Sequence, residues 1–240
     1  MNAQDRKIRR KPIRISYEQF RNAASACCAG TAGDMTTTLA TLIARELKGS
    51  APAAMLEELL GGQPGTPVHG VWHHALVGET LLLCLKNAGY AIGDDLIDEV
   101  VDRGRQIPGG SCGFLGICGA LASASSAYAV LLASTPVATE ARGRLLDFSS
   151  RLTARLAKIG GSRCCKKSSY VALQMARDEF AEIGFELPRE EFAGRCRFVA
   201  DNETCDGADC AFFPQPRRSK GISDGALSSV AVQHTSGGDA

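Results

Sequence analysis

The sequence has few aromatic residues, no long apolar run and almost no net charge. Aromatic residues make up 6% of the 240 residues, with Trp72 as the single tryptophan, so aliphatic side chains must form most of the core. The net charge of +1 gives no reason to expect binding to nucleic acid or to an anionic membrane. Residues 119–133 form the best candidate for a membrane helix, but they include serines and are fewer than the ~20 residues that a span needs. No membrane helix is expected.

The start of the sequence carries no recognisable secretory signal. Residues 1–14 are basic, and no apolar stretch of signal-peptide length follows them. We therefore expect a cytoplasmic location. In such a reducing compartment, grouped cysteines bind metals or act in catalysis more often than they form disulfides.

Hydrophobic periodicity predicts a mainly α protein, a single-domain helical bundle with cysteine-bearing loops and an irregular C-terminal segment. Residues 138–159 give the clearest amphipathic pattern, and a last helix is predicted to begin with Ser168 as its cap. A long helix is predicted over 67–88. The predicted organisation has three parts: a basic, irregular extension over 1–33, a helical cysteine-rich metal-binding domain over 34–214, and a disordered tail over 215–240.

Cysteine is the one residue type in clear excess, with ten in the chain. Seven of them occur beside glycines, on predicted loops or at predicted helix starts: Cys112, Cys118, Cys164, Cys165, Cys196, Cys205 and Cys210. Nearby helix N-termini and the cations Arg163, Lys166 and Lys167 are expected to lower thiol pKa values and favour thiolates. Cys27, Cys28 and Cys84 lie in apolar or alanine-rich segments and are expected to be small core side chains.

These seven cysteines predict one shared metal site, since thiolates are ligands of zinc and of iron–sulfur clusters. Their spacing lacks the paired Cys-x2-Cys knuckles of a zinc ribbon. The side chains of the adjacent Cys164 and Cys165 should diverge, which suits a cluster, or one ligand beside one free thiol, better than one tetrahedral ion. We expect an iron–sulfur cluster held by four of the seven, with zinc as the alternative.

Histidines and cations suggest roles around this site. His69, His73 and His74 are close in the sequence, and we expect His73 or His74 to move protons. Either Cys164 or Cys165 is the expected reactive thiol. Arg163 and Lys166 are expected to hold an anionic substrate or to stabilise thiolates. Residues 142–167 are strongly basic, which indicates either a solvated helix face or a docking surface for an acidic partner.

Several short motifs together resemble a prokaryotic cysteine-rich domain of unknown function, over roughly residues 66–214. They are His73-His74, Pro108-Gly-Gly-Ser-Cys112-Gly-Phe-Leu-Gly-Ile-Cys118-Gly-Ala, Gly161-Ser-Arg-Cys164-Cys165-Lys and Asn202-Glu-Thr-Cys205 with Cys210-Ala-Phe-Phe-Pro. Gly161-Ser162-Arg163 departs from that family's usual Gly-Pro-Arg. Members occur alone or fused to methyltransferase or radical-SAM domains in anaerobic prokaryotes, so the resemblance implies a methyltransferase or radical-SAM partner but no reaction.

Three hypotheses follow. The first is an iron–sulfur protein with redox or sulfur-handling chemistry, accessory to such enzymes. The second is a non-catalytic interaction module, stabilised by zinc, that docks through the basic helix. The third is a metal-free dithiol oxidoreductase. They differ on whether the chain is an enzyme, and the sequence does not decide between them.

Overall fold

A computed structural model of the chain describes residues 40, 41, 43–61 and 68–214. The predicted extension (1–33) and the predicted tail (215–240) lie outside these residues, as do Cys27 and Cys28. The predicted domain boundaries therefore stay predictions.

The described residues form seven α-helices and contain no β-strand. The helices are α1 (Pro52–Gly61), α2 (Trp72–Asn87), α3 (Asp94–Arg105), α4 (Ser111–Phe114), α5 (Gly119–Leu131), α6 (Thr139–Ile159) and α7 (Cys165–Ala181). Residues 40, 41, 43 and 44 are also helical, and Gly207–Asp209 form one 3-10 turn in an otherwise irregular C-terminal segment. The prediction of a mainly α, single helical domain is confirmed.

Helix α2 is the centre of the fold and contacts α1, α3, α5 and α7. Nearly all of its side chains are buried, as expected of a helix that is apolar on every face. Cys84 lies in this core, with its Sγ 3.7 Å from Sδ of Met55, which confirms the prediction that it is a packed side chain. The helix begins at Trp72, later than the predicted residue 67, because residues 68–70 form bends.

Small residues allow α2 and α5 to approach closely. The Gly78 N–H donates a hydrogen bond to Oγ of Ser123 at 2.8 Å, and a Cβ at Gly78 would lie 2.6 Å from the Ser123 carbonyl oxygen. Ser123 is fully buried. The run over 119–133 is therefore a core helix whose serines and alanines fit against a neighbouring backbone. Within the described residues, no helix is long and apolar enough to cross a membrane.

Helix α6 covers α5 and α7 with one apolar stripe. Phe148 and Leu152 are fully buried, and Leu145, Leu156 and Ile159 are half-buried beside them. The opposite face is exposed and basic. This is the arrangement predicted from the periodicity of residues 138–159.

The Glu79 carboxyl group lies in the core, in α2, and is fully buried. Its Oε1 lies 3.6 Å from Nε of Arg45, and neither oxygen accepts a hydrogen bond from the described residues. Burial raises the pKa of Glu79 to about 8, against a smaller opposing effect of Arg45. The carboxyl group is therefore protonated at neutral pH.

Polar contacts with α1 and α7 hold the irregular segment after α7 in place. The buried carboxylate of Glu57 accepts hydrogen bonds from Nε of Arg195 at 2.6 Å and from the Tyr170 hydroxyl at 2.9 Å. The Glu190 carboxylate accepts the N–H groups of Ala53 and Ala54, at 2.8 and 3.1 Å, and so caps the N-terminus of α1. These contacts fix the chain on the N-terminal side of Cys196.

Candidate functional site

Three cysteine-bearing segments meet around the N-terminus of α7 and line two neighbouring cavities. The first carries Cys112 and Cys118, the second Cys164 and Cys165, and the third Cys196, Cys205 and Cys210. The smaller cavity has a volume of about 20 Å³, and the larger one about 420 Å³. Cys164 and Lys167 lie on the walls of both. The predicted site residues are therefore divided between two adjoining spaces.

Four cysteines line the smaller cavity: Cys164, Cys196, Cys205 and Cys210. Burial raises the pKa of Cys196, and the neighbouring thiols of Cys164, Cys205 and Cys210 raise it further. Cys164 comes from the segment before α7, and the other three come from the irregular segment after it. We call them the four-cysteine set.

The larger cavity receives the other predicted cysteines. Cys112, Cys118 and Cys165 line it together with Cys164. His73, His74 and Arg163 lie on the same wall, whereas Lys166 lines the smaller cavity. Cys112 is exposed, and the other three are half-buried.

The sulfur of Cys164 caps helix α7. It accepts a hydrogen bond from the Lys167 N–H at 3.4 Å and a longer one from Nδ2 of Asn202 at 3.7 Å. The prediction that Ser168 caps this helix is wrong, because Cys164 takes that role and the helix begins at Cys165. Ser168 lies inside the first turns of the helix instead.

The expectation of lowered thiol pKa values is also wrong for the adjacent pair. Burial raises the pKa of Cys164 despite the two backbone N–H groups that lower it. Burial raises the pKa of Cys165 to about 11. Removal from water here outweighs the helix N-terminus and the nearby cations, so both groups are neutral thiols in the protein without a metal.

Asn202 links three parts of the site, and the sequence reasoning did not find it as a site residue. Its Oδ1 accepts hydrogen bonds from Nε2 of His69 at 3.1 Å and from the backbone N–H of Thr204 at 3.2 Å. Nδ1 of His69 accepts the Cys165 N–H at 3.4 Å, so the neutral histidine carries its proton on Nε2. The Asn-x-Thr pattern before Cys205 is typical of a side-chain turn and was the available signal.

A partly buried ion pair joins the second cysteine segment to the third. Nζ of Lys167 donates to Oδ2 of Asp206 and to the Gly160 carbonyl oxygen, both at 2.6 Å, and Oδ1 of Asp206 accepts the Ser162 N–H at 2.8 Å. Gly161 has a φ of 79°, and a Cβ there would overlap the Asp206 carboxylate. A glycine is therefore needed at position 161.

Lys166 and His73 form a second buried contact. Nδ1 of His73 lies 3.1 Å from the Gly70 carbonyl oxygen, and Nε2 lies 3.1 Å from Nζ of Lys166. The ammonium group also lies over the Phe198 ring, 4.4 Å from its centre. Burial lowers the pKa of Lys166 to about 8 and, together with this lysine, holds the pKa of His73 well below its ordinary value.

No three His, Cys, Asp or Glu side chains of the described residues are close enough to hold a metal ion as they stand. The donor chemistry of the four-cysteine set nevertheless suits a metal, since four thiolates are the complete ligand set of a zinc ion or of an iron–sulfur cluster. The four thiols surround a space and do not converge on one point.

A family model described as a family of unknown function, DUF5714, matches residues 40–213. The chain belongs to the DUF5714 family. No curated protein and no solved structure shows significant similarity to it.

The DUF5714 match extends further towards the N-terminus than the resemblance over 66–214 suggested. It includes α1, whose Glu57 anchors the segment that carries Cys196, so α1 belongs to the same structural unit as the site. All seven predicted site cysteines fall inside the match. Cys27 and Cys28 fall outside it.

Proposed function

We propose that this chain is an iron–sulfur protein with redox or sulfur-handling chemistry. In the proposal, Cys164, Cys196, Cys205 and Cys210 hold the cluster. The observation that carries the proposal is that four thiols from two segments distant in the sequence line one small cavity. Packing alone gives no reason for four half-buried cysteines to gather in one place.

The arrangement of the thiols favours a cluster over a single ion. A zinc ion needs four donors about 2.3 Å from one point, and no three donors among the described residues are so placed. A cluster presents several iron atoms, so its four thiolates bind at more than one point. Thiols spread around a space suit it better, although the 20 Å³ cavity must widen by movement of the irregular segment after α7.

The burial of Lys166 also supports an anionic centre in this cavity. Lys166 is 4% exposed, and no carboxylate of the described residues lies within ion-pair distance of its Nζ. A buried ammonium group is costly unless an opposite charge lies nearby. Four thiolates around a cluster supply that charge, since Lys166 lines the same cavity.

The two adjacent cysteines take different roles in this proposal. Cys164 is a ligand, and Cys165 is the reactive thiol because it faces only the larger cavity. A bound cluster supplies one-electron transfer. His74 lines the same cavity as Cys165 and can accept a proton there, because its Nδ1 is taken by the Ile107 carbonyl oxygen at 3.0 Å and its Nε2 carries the lone pair.

A partner enzyme is part of the proposal, with a methyltransferase or a radical-SAM enzyme as the expected class. Phe114, Leu115 and Ile117 are exposed on the loop that carries Cys112 and Cys118. The exposed basic face of α6 lies beside the same cavity, since Thr153, Leu156 and Ala157 of α6 line it. Together they form an apolar and basic surface suited to an acidic partner. The proposed location is the cytoplasm, where free thiols persist.

Zinc is the second candidate, and the cavity volume favours it. A space of about 20 Å³ is close to that of one water molecule, so a single ion fits without widening. In this case the chain is a non-catalytic interaction module that docks through α6. Metal binding worth ~10–16 kcal/mol would then be coupled to folding of the irregular segment.

Purification without oxygen, followed by absorption spectroscopy and metal analysis, tests the proposal. Brown protein with iron and acid-labile sulfide is the expected result. Colourless protein with one equivalent of zinc rejects the cluster and supports the interaction module. Protein that contains neither metal rejects both and leaves the dithiol hypothesis.

A further inference from the structure

The N-terminus of α5 presents unpaired backbone N–H groups to the larger cavity. Gly119, Ala120 and Leu121 form its first turn, and their N–H groups have no acceptor within the helix, as at any helix start. The preceding residue, Cys118, provides no side-chain cap. All three residues are buried, and all three line the cavity. The donors therefore face this space.

Ser168 provides a second, independent donor to the cavity. It lies in α7, is 6% exposed and lines the cavity. Its hydroxyl group has no hydrogen-bond partner among the described residues, whereas the next serine, Ser169, donates to the Cys165 carbonyl oxygen at 2.8 Å. Because the hydroxyl oxygen keeps some accessible surface, it is open to the cavity, and an anionic ligand there would accept its hydrogen bond.

The charged side chains that line the cavity are those of Arg163 and Lys167, and no Asp or Glu of the described residues lines it. The Lys167 ammonium group is already paired with Asp206, so it adds little net charge to this space. The positive end of the α5 dipole faces the cavity. His74 packs directly on Gly119, where a Cβ would overlap the imidazole ring, so the helix start stays open only with glycine there.

Aliphatic side chains also line the cavity. Leu121 of α5 and Leu156 and Ala157 of α6 contribute to it. The volume of about 420 Å³ is in the range of small-molecule sites. A cavity lined by both hydrogen-bond donors and aliphatic side chains fits a molecule with an anionic group and a hydrocarbon part.

We propose that the larger cavity binds a small organic anion. Its carboxylate or phosphate group lies between the first-turn N–H groups of α5 and the Ser168 hydroxyl, and its apolar part contacts α6. This proposal adds a ligand to the proposed function. It rests on that function only where it identifies the anion as the substrate presented to Cys165. The binding itself needs no metal.

Calorimetric titration of the full chain tests the site with matched probes. Hexanoate is compared with neutral hexanamide, and phenyl phosphate with phenol, which separates a carboxylate ligand from a phosphate ligand. The expected result is saturable binding of at least one anion at least tenfold tighter than that of its neutral analogue. Failure of both anions to bind, or equal binding of each anion and its analogue, overturns the proposal.

Two adjacent serines provide the matched variants. Ser168→Ala should weaken binding of the anion about tenfold, since a hydrogen bond to a charged group is lost. Ser169→Ala should leave binding unchanged, because that hydroxyl faces the helix backbone. Leu156→Glu, which places a like charge on the wall, should also weaken binding. Equal affinities of Ser168→Ala and the unaltered chain contradict the site.

Metal analysis of the same samples separates the two proposals. Ser168→Ala should keep the metal content of the unaltered chain, because Ser168 lies outside the smaller cavity. Loss of anion binding with metal retained confirms the site and does not bear on the cluster. Absence of any metal, with anion binding intact, rejects the cluster and leaves the anion site standing.

Discussion

Cys164 and Cys165 are neighbours in the chain, yet only Cys164 lines the four-cysteine cavity, whereas Cys165 lines only the larger one. The turn into helix α7 separates them, because Cys164 is the N-cap in an extended conformation and Cys165 is the first helical residue. Two adjacent thiols can therefore serve as one metal ligand and one reactive group.

Serine substitutions at these two positions should differ in their effect on the metal content. Cys164→Ser should lose most of the bound metal, since it removes one of four ligands. Cys165→Ser should keep the metal and lose the thiol that faces the larger cavity. Iron, zinc and sulfide analysis after anaerobic purification checks this. Equal loss of metal in both variants would show that Cys165 is also a ligand and not the reactive thiol.

Glu79 should make the stability of the protein depend on pH. Its pKa is about 8 in the folded state against an ordinary value of 4.5, so the stabilisation is complete below pH 4.5 and is lost as the pH rises through 8. Glu79→Gln removes this titration and should be more stable than the unaltered chain at pH 9, by up to ~5 kcal/mol. The two chains should be similarly stable at pH 4.5.

Urea unfolding at pH 4.5, 7 and 9 measures this difference. If the ion pair between Glu79 and Arg45 dominates instead, Glu79→Gln will be the less stable chain at pH 9. That outcome contradicts the conclusion that the carboxyl group is protonated at neutral pH.

The buried contact between Glu57 and Arg195 should stabilise the segment that carries Cys196. Glu57→Leu leaves the Arg195 guanidinium without its main partner and should lower the free energy of unfolding by about 3 kcal/mol. Asp147→Asn removes the exposed pair with Arg151 on α6 and should cost less than 1 kcal/mol. Chemical denaturation measures the free energy of unfolding of both variants. Equal losses of stability in the two would contradict an anchoring role for Glu57.

Two glycines should respond in opposite ways to alanine. Gly161→Ala combines a φ of 79° with overlap on the Asp206 carboxylate, so it should destabilise the protein by at least ~1 kcal/mol. Gly143→Ala lies on α6 with nothing within 4 Å of the added Cβ, so it should stabilise the protein by ~0.5–1 kcal/mol. Melting temperatures show whether each variant is more or less stable than the unaltered chain. A neutral Gly161→Ala would argue against the contact between the loop and Asp206.

The helices were the predictable part of the fold. In α6 the apolar spacing that buries Phe148 and Leu152 is local, so the sequence alone reveals it. The starts of α2 and α7 were less predictable. The start of α7 depends on the Cys164 sulfur, which is not among the usual capping groups.

The candidate site could be predicted only in its residue types. Glycine-flanked cysteines indicated a shared site, but the division between two cavities arises from long-range packing. Asn202, which contacts His69 at a separation of 133 residues, has no periodic pattern that reveals it. The thiol pKa values depend on burial, which the charges of neighbouring residues in the sequence do not reveal. For that reason the expectation of a lowered pKa at Cys164 was wrong.

The metal content of single cysteine variants tests whether the four-cysteine set holds the cluster. Cys196→Ser, Cys205→Ser and Cys210→Ser are compared with Cys112→Ser and Cys118→Ser, which line only the larger cavity. The account predicts that the first three lose iron and acid-labile sulfide and that the last two retain the content of the unaltered chain. Retention of the cluster in the first three variants, or its loss in Cys112→Ser and Cys118→Ser alone, would contradict the assignment of the four-cysteine set.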